Sequence, residues 1–255
     1  MIDLVVYFLV GMVAAFLGSL SGTGGGFMAV PALYYLGLPP PSAIATSKFM
    51  VFINSIVSIY AYLRDARFSP KLYFSVAASM TPMAYLGAYL VAVIPQRLLV
   101  VIVSTILLVG SLRLLLMGDA GRNGRSRGFA LGRRPHILGA ASGGAAGLIA
   151  GLTGLGGGIV TVPAFIYLMN LEIHSSVSLS MACIAPSSFS SVIRHAVDGI
   201  ILWDVAVPLG AGAVLGGWIG PKISLRLSER MLGKMVGALI AAAALRMLIQ
   251  VILEI

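Results

Sequence analysis

Two glycine triplets, Gly24-Gly25-Gly26 and Gly156-Gly157-Gly158, are the residues whose type and spacing best suit chemistry. Each lies in a long uncharged stretch and each is followed by a proline, Pro31 or Pro163. Consecutive glycines let backbone N–H groups come close to a ligand, and a helix restarting after them turns its positive dipole end toward the break. That arrangement makes an anion site without a charged side chain. Thr46, Ser47 and Lys48 follow the first triplet, and Ser178 and Ser180 follow the second, supplying hydroxyls and one cation suited to an oxyanion. Asn54 and its counterpart Ser187 come two turns later, where they either line the same cavity or bond across helices. The competing reading of the triplets is close helix crossing, which small residues permit throughout membrane proteins. A nucleotide loop fits poorly, because no Lys-Ser/Thr pair follows and no strand–helix unit surrounds the glycines.

The elements that must position these residues are membrane helices. The chain is 59% apolar and 10% charged over 255 residues, with a mean hydropathy of +1.02, more apolar surface than one soluble core can hide. No charged residue occurs from Leu4 to Ser47, and a single helix over that run would be about twice the hydrocarbon thickness of a bilayer. The break at the first triplet therefore falls at membrane depth. The apolar start reads as a first membrane helix that is retained, since it has no basic n-region and no small-residue cleavage site. The formal charge of +9 does not point to nucleic acid, because the basic residues sit at the ends of apolar segments with no aromatic platform among them. Cys183 is the single cysteine, which excludes an intrachain disulfide and reads as a packed small residue.

The first glycine motif returns 132 residues later, since "LSGTGGGFMAVPAL" (20–33) aligns without a gap to "LTGLGGGIVTVPAF" (152–165). At an offset of 133, "ATSK" (45–48) aligns with "SLSM" (178–181), Asp65 with Asp198 and "SLRLLL" (111–116) with "ALRMLI" (244–249). This is a duplicated unit. It divides the chain into a first repeat at 1–117, a basic glycine-containing linker at 118–134 and a second repeat at 135–255. Five apolar segments are expected per repeat, in the first at 2–20, 27–38, 43–63, 72–94 and 98–117. The second of these is too short to span, and Pro31 and Pro163 are expected to interrupt or end it and its counterpart.

Basic loops at Arg64/Arg67/Lys71, at Arg122 to Arg134 and at Lys222/Arg226/Arg230/Lys234, against an acidic loop at Asp198 and Asp204, place corresponding loops on opposite sides of the membrane. The expected fold is thus all-α and polytopic, with two inverted-topology repeats, a cytoplasmic linker and both termini external. Whether the first two segments of each repeat span or form a re-entrant hairpin stays open, as does the oligomeric state.

Lys48 has two readings, a cation snorkelling from a helix end and the charge that balances a bound anion. Arg113 and Arg246, equivalent by the repeat, read as snorkelling. Arg194 and His195 mark either a boundary or a gating or coupling position. All eight carboxylates fall at loops or segment ends, so none is available deep in the membrane to carry a proton or Na⁺. Enzymatic chemistry is not expected: His136, His174 and His195 have no i, i+4 ligand partner, and no nucleophile–base pair, metal cluster or cofactor motif is present.

These motifs resemble the sulfite exporter TauE/SafE family. The resemblance covers nearly the whole chain and rests on "GTGGGFMAVPALYYLGLPPPSAIATSK", "GLGGGIVTVPAFIYL" with "HSSVSLSM", and "RHAVDGIILWD" (194–204), where His195, Gly199 and Ile200 approximate the family's pattern but Asp198 precedes the glycine. It implies roles for both triplets and for Ala45, Thr46 and Ser47. The second half departs from the pattern with Ser178-Leu179-Ser180. The resemblance implies a membrane transporter of small anions such as sulfite, thiosulfate or organosulfonates, usually outward. The expectation is a secondary transporter with a midplane site formed by both repeats, with a passive anion channel or an importer of another small organic anion as the alternative.

Overall fold

In a computed structural model, residues 2–62, 69–116, 133–169, 171 and 173–224 and positions 241, 244, 245, 248 and 249 are described. The linker expected at 118–134 lies almost wholly outside the described residues. So do the loop residues Arg64, Asp65 and Arg67, the basic loop residues from Arg226 onward, and most of the segment expected at 232–253. The side chains of Arg113, Arg246 and His174 are likewise outside them.

Nine helices, and no strand, occur among the described residues: α1 (Ile2–Ser21), α2 (Gly26–Tyr35), α3 (Pro40–Tyr62), α4 (Pro70–Val93), α5 (Gln96–Leu116), α6 (Arg133–Thr153), α7 (Gly158–Met169), α8 (Ile173–Val197) and α9 (Trp203–Ser224). Five of them are long and apolar enough to cross a bilayer. With 10 and 12 residues, α2 and α7 reach about half of a hydrocarbon core.

Local chemistry sets the ends. Ser69 caps α4 in extended backbone with Pro70 as its first residue, where a missing N–H costs nothing. At the end of α8, the Gly199 N–H donates to the Ala196 carbonyl (3.1 Å) and the Ile200 N–H to the His195 carbonyl (3.3 Å). This closure turns the chain back over the helix end and needs the left-handed backbone Gly199 adopts, φ +68°. The two prolines expected to end the short helices do not. Pro31 and Pro163 lie inside α2 and α7, where surrounding helices accommodate the lost ladder bond.

Packing follows the smallest residues. α1 runs along α9, α4 along α6, and α3 and α8 pack on each other and on α9 and α4 respectively. Exchanging the two repeats maps α1–α9 onto α6–α4 and α3–α9 onto α8–α4. A Cβ at Gly212 or Gly216 would strike the Phe8 or Met12 carbonyl across α1–α9, and one at Gly147 or Gly151 would strike the Met80 or Ala84 carbonyl across α4–α6. Backbones approach this closely in membranes because lipid supplies no hydrophobic drive and packing must.

Within their apolar windows, α3 and α8 are 61% and 72% buried, against 33% to 39% for α1, α4 and α6, so they form the inner pair. They run antiparallel: Val51 and Ile184 meet beside Gly24, the Phe52 and Phe189 rings lie 5.3 Å apart, and Ala45 shares a buried cluster with Val192. Outward-facing Phe74, Val109 and Val207 are exposed, as bilayer-facing side chains should be.

Gly151→Ala is expected to lower the thermal-unfolding midpoint in detergent, with an overpacking cost of about 1–3 kcal/mol. Gly144→Ala, with only Met83 Cγ at 3.8 Å, is expected to hold or raise it. Equal midpoints for Gly151→Ala and wild type would show that α4 and α6 are not in backbone contact.

Candidate functional site

The two glycine turns occupy the interior where the repeats meet, and both take the same backbone path. Gly22, Gly24 and Gly25 have φ of +71°, +85° and +91°, and their repeat counterparts Gly154, Gly156 and Gly157 have +75°, +89° and +86°. Left-handed backbone at three of four consecutive positions is open to glycine and costly for any other residue. After α1 the chain turns with the Thr23 and Gly24 N–H groups on the Gly18 carbonyl (2.9 and 3.2 Å), and Gly25 then starts α2.

The turns lie against each other. A Cβ at Gly24 would stand 3.7 Å from Gly156 Cα. Reciprocally, one at Gly26 would strike the Gly154 carbonyl and one at Gly158 the Gly22 carbonyl. Every residue of both triplets is buried.

The hydroxyls that the spacing offers to a ligand are spent on the turns themselves. Ser180 Oγ on α8 donates to the Gly22 carbonyl at 2.8 Å, and Ser47 Oγ on α3 donates to the Gly154 carbonyl at 3.4 Å and to Ile44 at 2.9 Å. Each repeat's inner helix thus bonds the other repeat's turn, at positions equivalent under the 133-residue offset. Asn54 Nδ2 donates to the Gly24 carbonyl at 2.9 Å. Thr46 Oγ1 accepts the Leu202 N–H at 3.3 Å, and Ser187 Oγ donates within α8 to Ile184 at 3.0 Å. Ser178 is buried on the same helix.

The consequence is electrostatic. Carbonyls that would repel an anion are already bonded: Gly22, Gly24 and Gly154 as above, Gly25 by the Met28 and Ala29 N–H groups, and Gly157 by those of Val160 and Thr161. The first residues of α2 and α7, Gly26–Phe27 and Gly158–Ile159, carry N–H groups with no acceptor inside their own helices. Five glycine carbonyls of the junction are therefore engaged, while two helix N-termini open onto it.

Lys48 is completely buried, and its Nζ has no hydrogen-bond partner. It does not snorkel. His195 is equally buried, with both ring nitrogens unpartnered. Arg194, its neighbour, is set apart: its guanidinium bonds Asp198, at 3.0 Å through Nε, and lies 5.0 Å from the centre of the Tyr89 ring. Arg194 fixes the end of α8 to α4.

Thr161 was not singled out by the sequence. Its Oγ1 lies 2.8 Å from Ser180 Oγ, so it sets the hydroxyl that holds the Gly22 carbonyl. The repeat carried no signal for it, because its counterpart is Ala29.

The chain is similar to known membrane proteins. Relatives include the probable membrane transporter protein YunE of Bacillus subtilis, 28% identical over 86% of this chain and 88% of its own. Another is the probable membrane transporter protein YfcA of Escherichia coli, 26% identical over 86% and 80%. A third, the probable membrane transporter protein MJ0441 of Methanocaldococcus jannaschii, is 28% identical over 73% and 70%. No solved structure matches the chain. The family described as Sulfite exporter TauE/SafE matches residues 7–247; with five apolar helices of spanning length, the chain belongs to that family and is a multi-pass membrane transporter of its type.

Proposed function

We propose that this protein is a secondary transporter that exports a small sulfur-containing anion, such as sulfite, thiosulfate or a short organosulfonate, across the cell (inner) membrane. The observation that carries the reading is the pair of glycine turns, lying against each other inside a transporter of this family with the carbonyls of Gly22, Gly24, Gly25, Gly154 and Gly157 bonded and their helix N-termini at the junction. The anionic group is held there by backbone N–H of α2 and α7, with Lys48 balancing its charge. Ser47, Ser180 and Asn54 act on the anion indirectly, by keeping carbonyl lone pairs engaged.

In this reading the halves are inverted-topology repeats, with the basic linker cytoplasmic and both termini external. The reciprocal packing of α1–α9 and α6–α4 supports it. Export needs no coupling cation, because an anion leaving a negative interior gains about 2.3 kcal/mol per charge per 100 mV. No covalent chemistry is involved.

Proteoliposomes given labelled sulfite, thiosulfate or methanesulfonate are expected to take up at least one of them saturably, with counterflow, and at a rate that follows an imposed membrane potential. Flux without saturation or counterflow would favour a passive channel. No flux of any of the three from folded protein would overturn the substrate class.

The turn itself is tested by Gly24→Ala combined with Val51→Ala, which frees the space that Val51 Cγ1 fills 2.9 Å from the added Cβ. A methyl between the turns is expected to raise the KM for the anion about tenfold or more, the scale of one lost charge-assisted hydrogen bond, relative to Val51→Ala alone. An unchanged KM would remove the anion from the turns.

A further inference from the structure

Lys48 and His195 occupy opposite members of the inner helix pair, near the same end of it. Ser55 on α3 and Ser188 on α8 are equivalent under the 133-residue offset, and both are fully buried, with Ser188 Oγ unpartnered. Lys48 lies seven residues before Ser55 and His195 seven residues after Ser188. Seven residues are close to two helical turns, so each pair shares a face. On antiparallel helices those two steps run toward the same end of the pair, the level where α3 begins and α8 ends. The side chains around that level agree: Ala45, Phe49 and Phe52 of α3 share a cluster with Val192 of α8 and with Ile200 and Ile201, which fold back over it.

The repeat supplies an internal comparison. The counterparts of Lys48 and His195 are Met181 and Tyr62, which take the mirror-image positions at the other end of the α3–α8 pair. Met181 and Tyr62 are buried in the main apolar cluster, and the Tyr62 hydroxyl donates to the Ser19 carbonyl at 2.7 Å. The same packing problem is thus solved at one end without a charge. At the other end a lysine and a histidine are buried together with every nitrogen of both side chains unpartnered, which packing does not require and lipid penalises heavily. Arg194, the next cation, is neutralised by Asp198, and Asp204 at the start of α9 is exposed. No carboxylate among the described residues is bonded to Lys48 or His195.

We propose that Lys48 and His195 form an enclosed, one-sided anion subsite between α3 and α8, in which the ammonium and an imidazole N–H bind the oxygens of a small oxyanion. The subsite rests on the transport reading for its substrate class, and it adds a second station to the glycine junction. Because it breaks the symmetry of the repeats, it lies toward one end of the α3–α8 pair only. On the orientation proposed above that end is the one nearer the external side.

The test uses variants that copy the mirror-image end. Full-length protein in detergent is titrated with sodium sulfite, thiosulfate or methanesulfonate against chloride at matched ionic strength, and the unfolding midpoint is followed. Wild type is expected to show a saturable rise with at least one oxyanion. Lys48→Met is expected to abolish the rise or weaken its apparent affinity about thirtyfold or more, as loss of one partner of a buried charge contact does. His195→Tyr is expected to weaken it less, and Met181→Leu to leave it unchanged. Should Lys48→Met not be recovered folded, His195→Phe, which keeps a ring and removes both nitrogens, carries the same expectation as His195→Tyr. Wild-type affinity in the recovered variants, or no stabilisation of wild type by any oxyanion, would overturn the subsite. Saturable transport by wild type with unchanged Lys48→Met would sink the subsite, and with it the charge-balancing role of Lys48 at the glycine junction, and leave the rest of the transport reading standing. Anion stabilisation lost in Lys48→Met without transport by wild type would do the reverse.

Discussion

Backbone freed by a broken helix at membrane depth must find partners inside the protein, since lipid offers none. Most of the interior follows from that requirement. The breaks after α1 and α6 leave carbonyls that neither helix can use; the protein bonds two of them across the repeat boundary, Ser180 to Gly22 and Ser47 to Gly154, and a third within the first repeat, Asn54 to Gly24. A buried unpaired carbonyl costs several times what a made hydrogen bond contributes net. The repeats therefore depend on each other at their most polar point. The same bonds have a second effect on the transport reading, because a junction with five of its glycine carbonyls engaged and two helix N-termini among its donors favours negative charge before any cation is added.

Packing divides the molecule differently from the sequence. The closest approaches, backbone to backbone, join α1 with α9 and α4 with α6, so each tight pair draws one helix from each repeat. α3 and α8 meet mainly through side chains, including the Phe52–Phe189 contact. Alternating access in inverted repeats is a rocking of rigid bodies about a fixed site. On the transport reading the rigid bodies are these mixed pairs rather than the two sequence halves. The α3–α8 seam is then the surface across which they rearrange, and it carries the buried polar column Lys48, Ser55, Ser188 and His195.

Much of this was legible from hydropathy. The segments at 2–20, 43–63, 72–94 and 98–117 correspond to α1, α3, α4 and α5, and the segment at 27–38 to a helix too short to span. Two things were not legible, for different reasons. A serine near a glycine turn reads as a ligand donor when its partner is unknown, and the partners of Ser47 and Ser180 lie 107 and 158 residues away. Only the tertiary crossing reveals them. Lys48 read equally well as a snorkelling cation because the apolar pattern begins near residue 43. The helix begins at Pro40, which moves Lys48 about one turn deeper, beyond the reach of an interface. His195 read as a boundary residue because α8 ends two residues later; the Gly199 turn brings Ile200 and Ile201 back over it and closes it off.

The charge inventory bears on energetics. Asp3, Asp198 and Asp204 lie at helix ends, and Lys48 is the buried cation among the described residues. On the transport reading, with Lys48 protonated and a monovalent anion bound beside it, the loaded site carries no net charge and crosses the field without electrical work. The empty site then carries the positive charge of the protonated lysine. Whether the site moves or the field moves around it, a potential negative inside favours returning that empty, positive site to face the cytoplasm. One charge over 100 mV corresponds to about 2.3 kcal/mol, roughly fiftyfold in an equilibrium constant. On the transport reading a single buried, protonated lysine thus gives the membrane potential a step to act on, in the direction that export requires, with no buried carboxylate among the described residues and no cotransported ion.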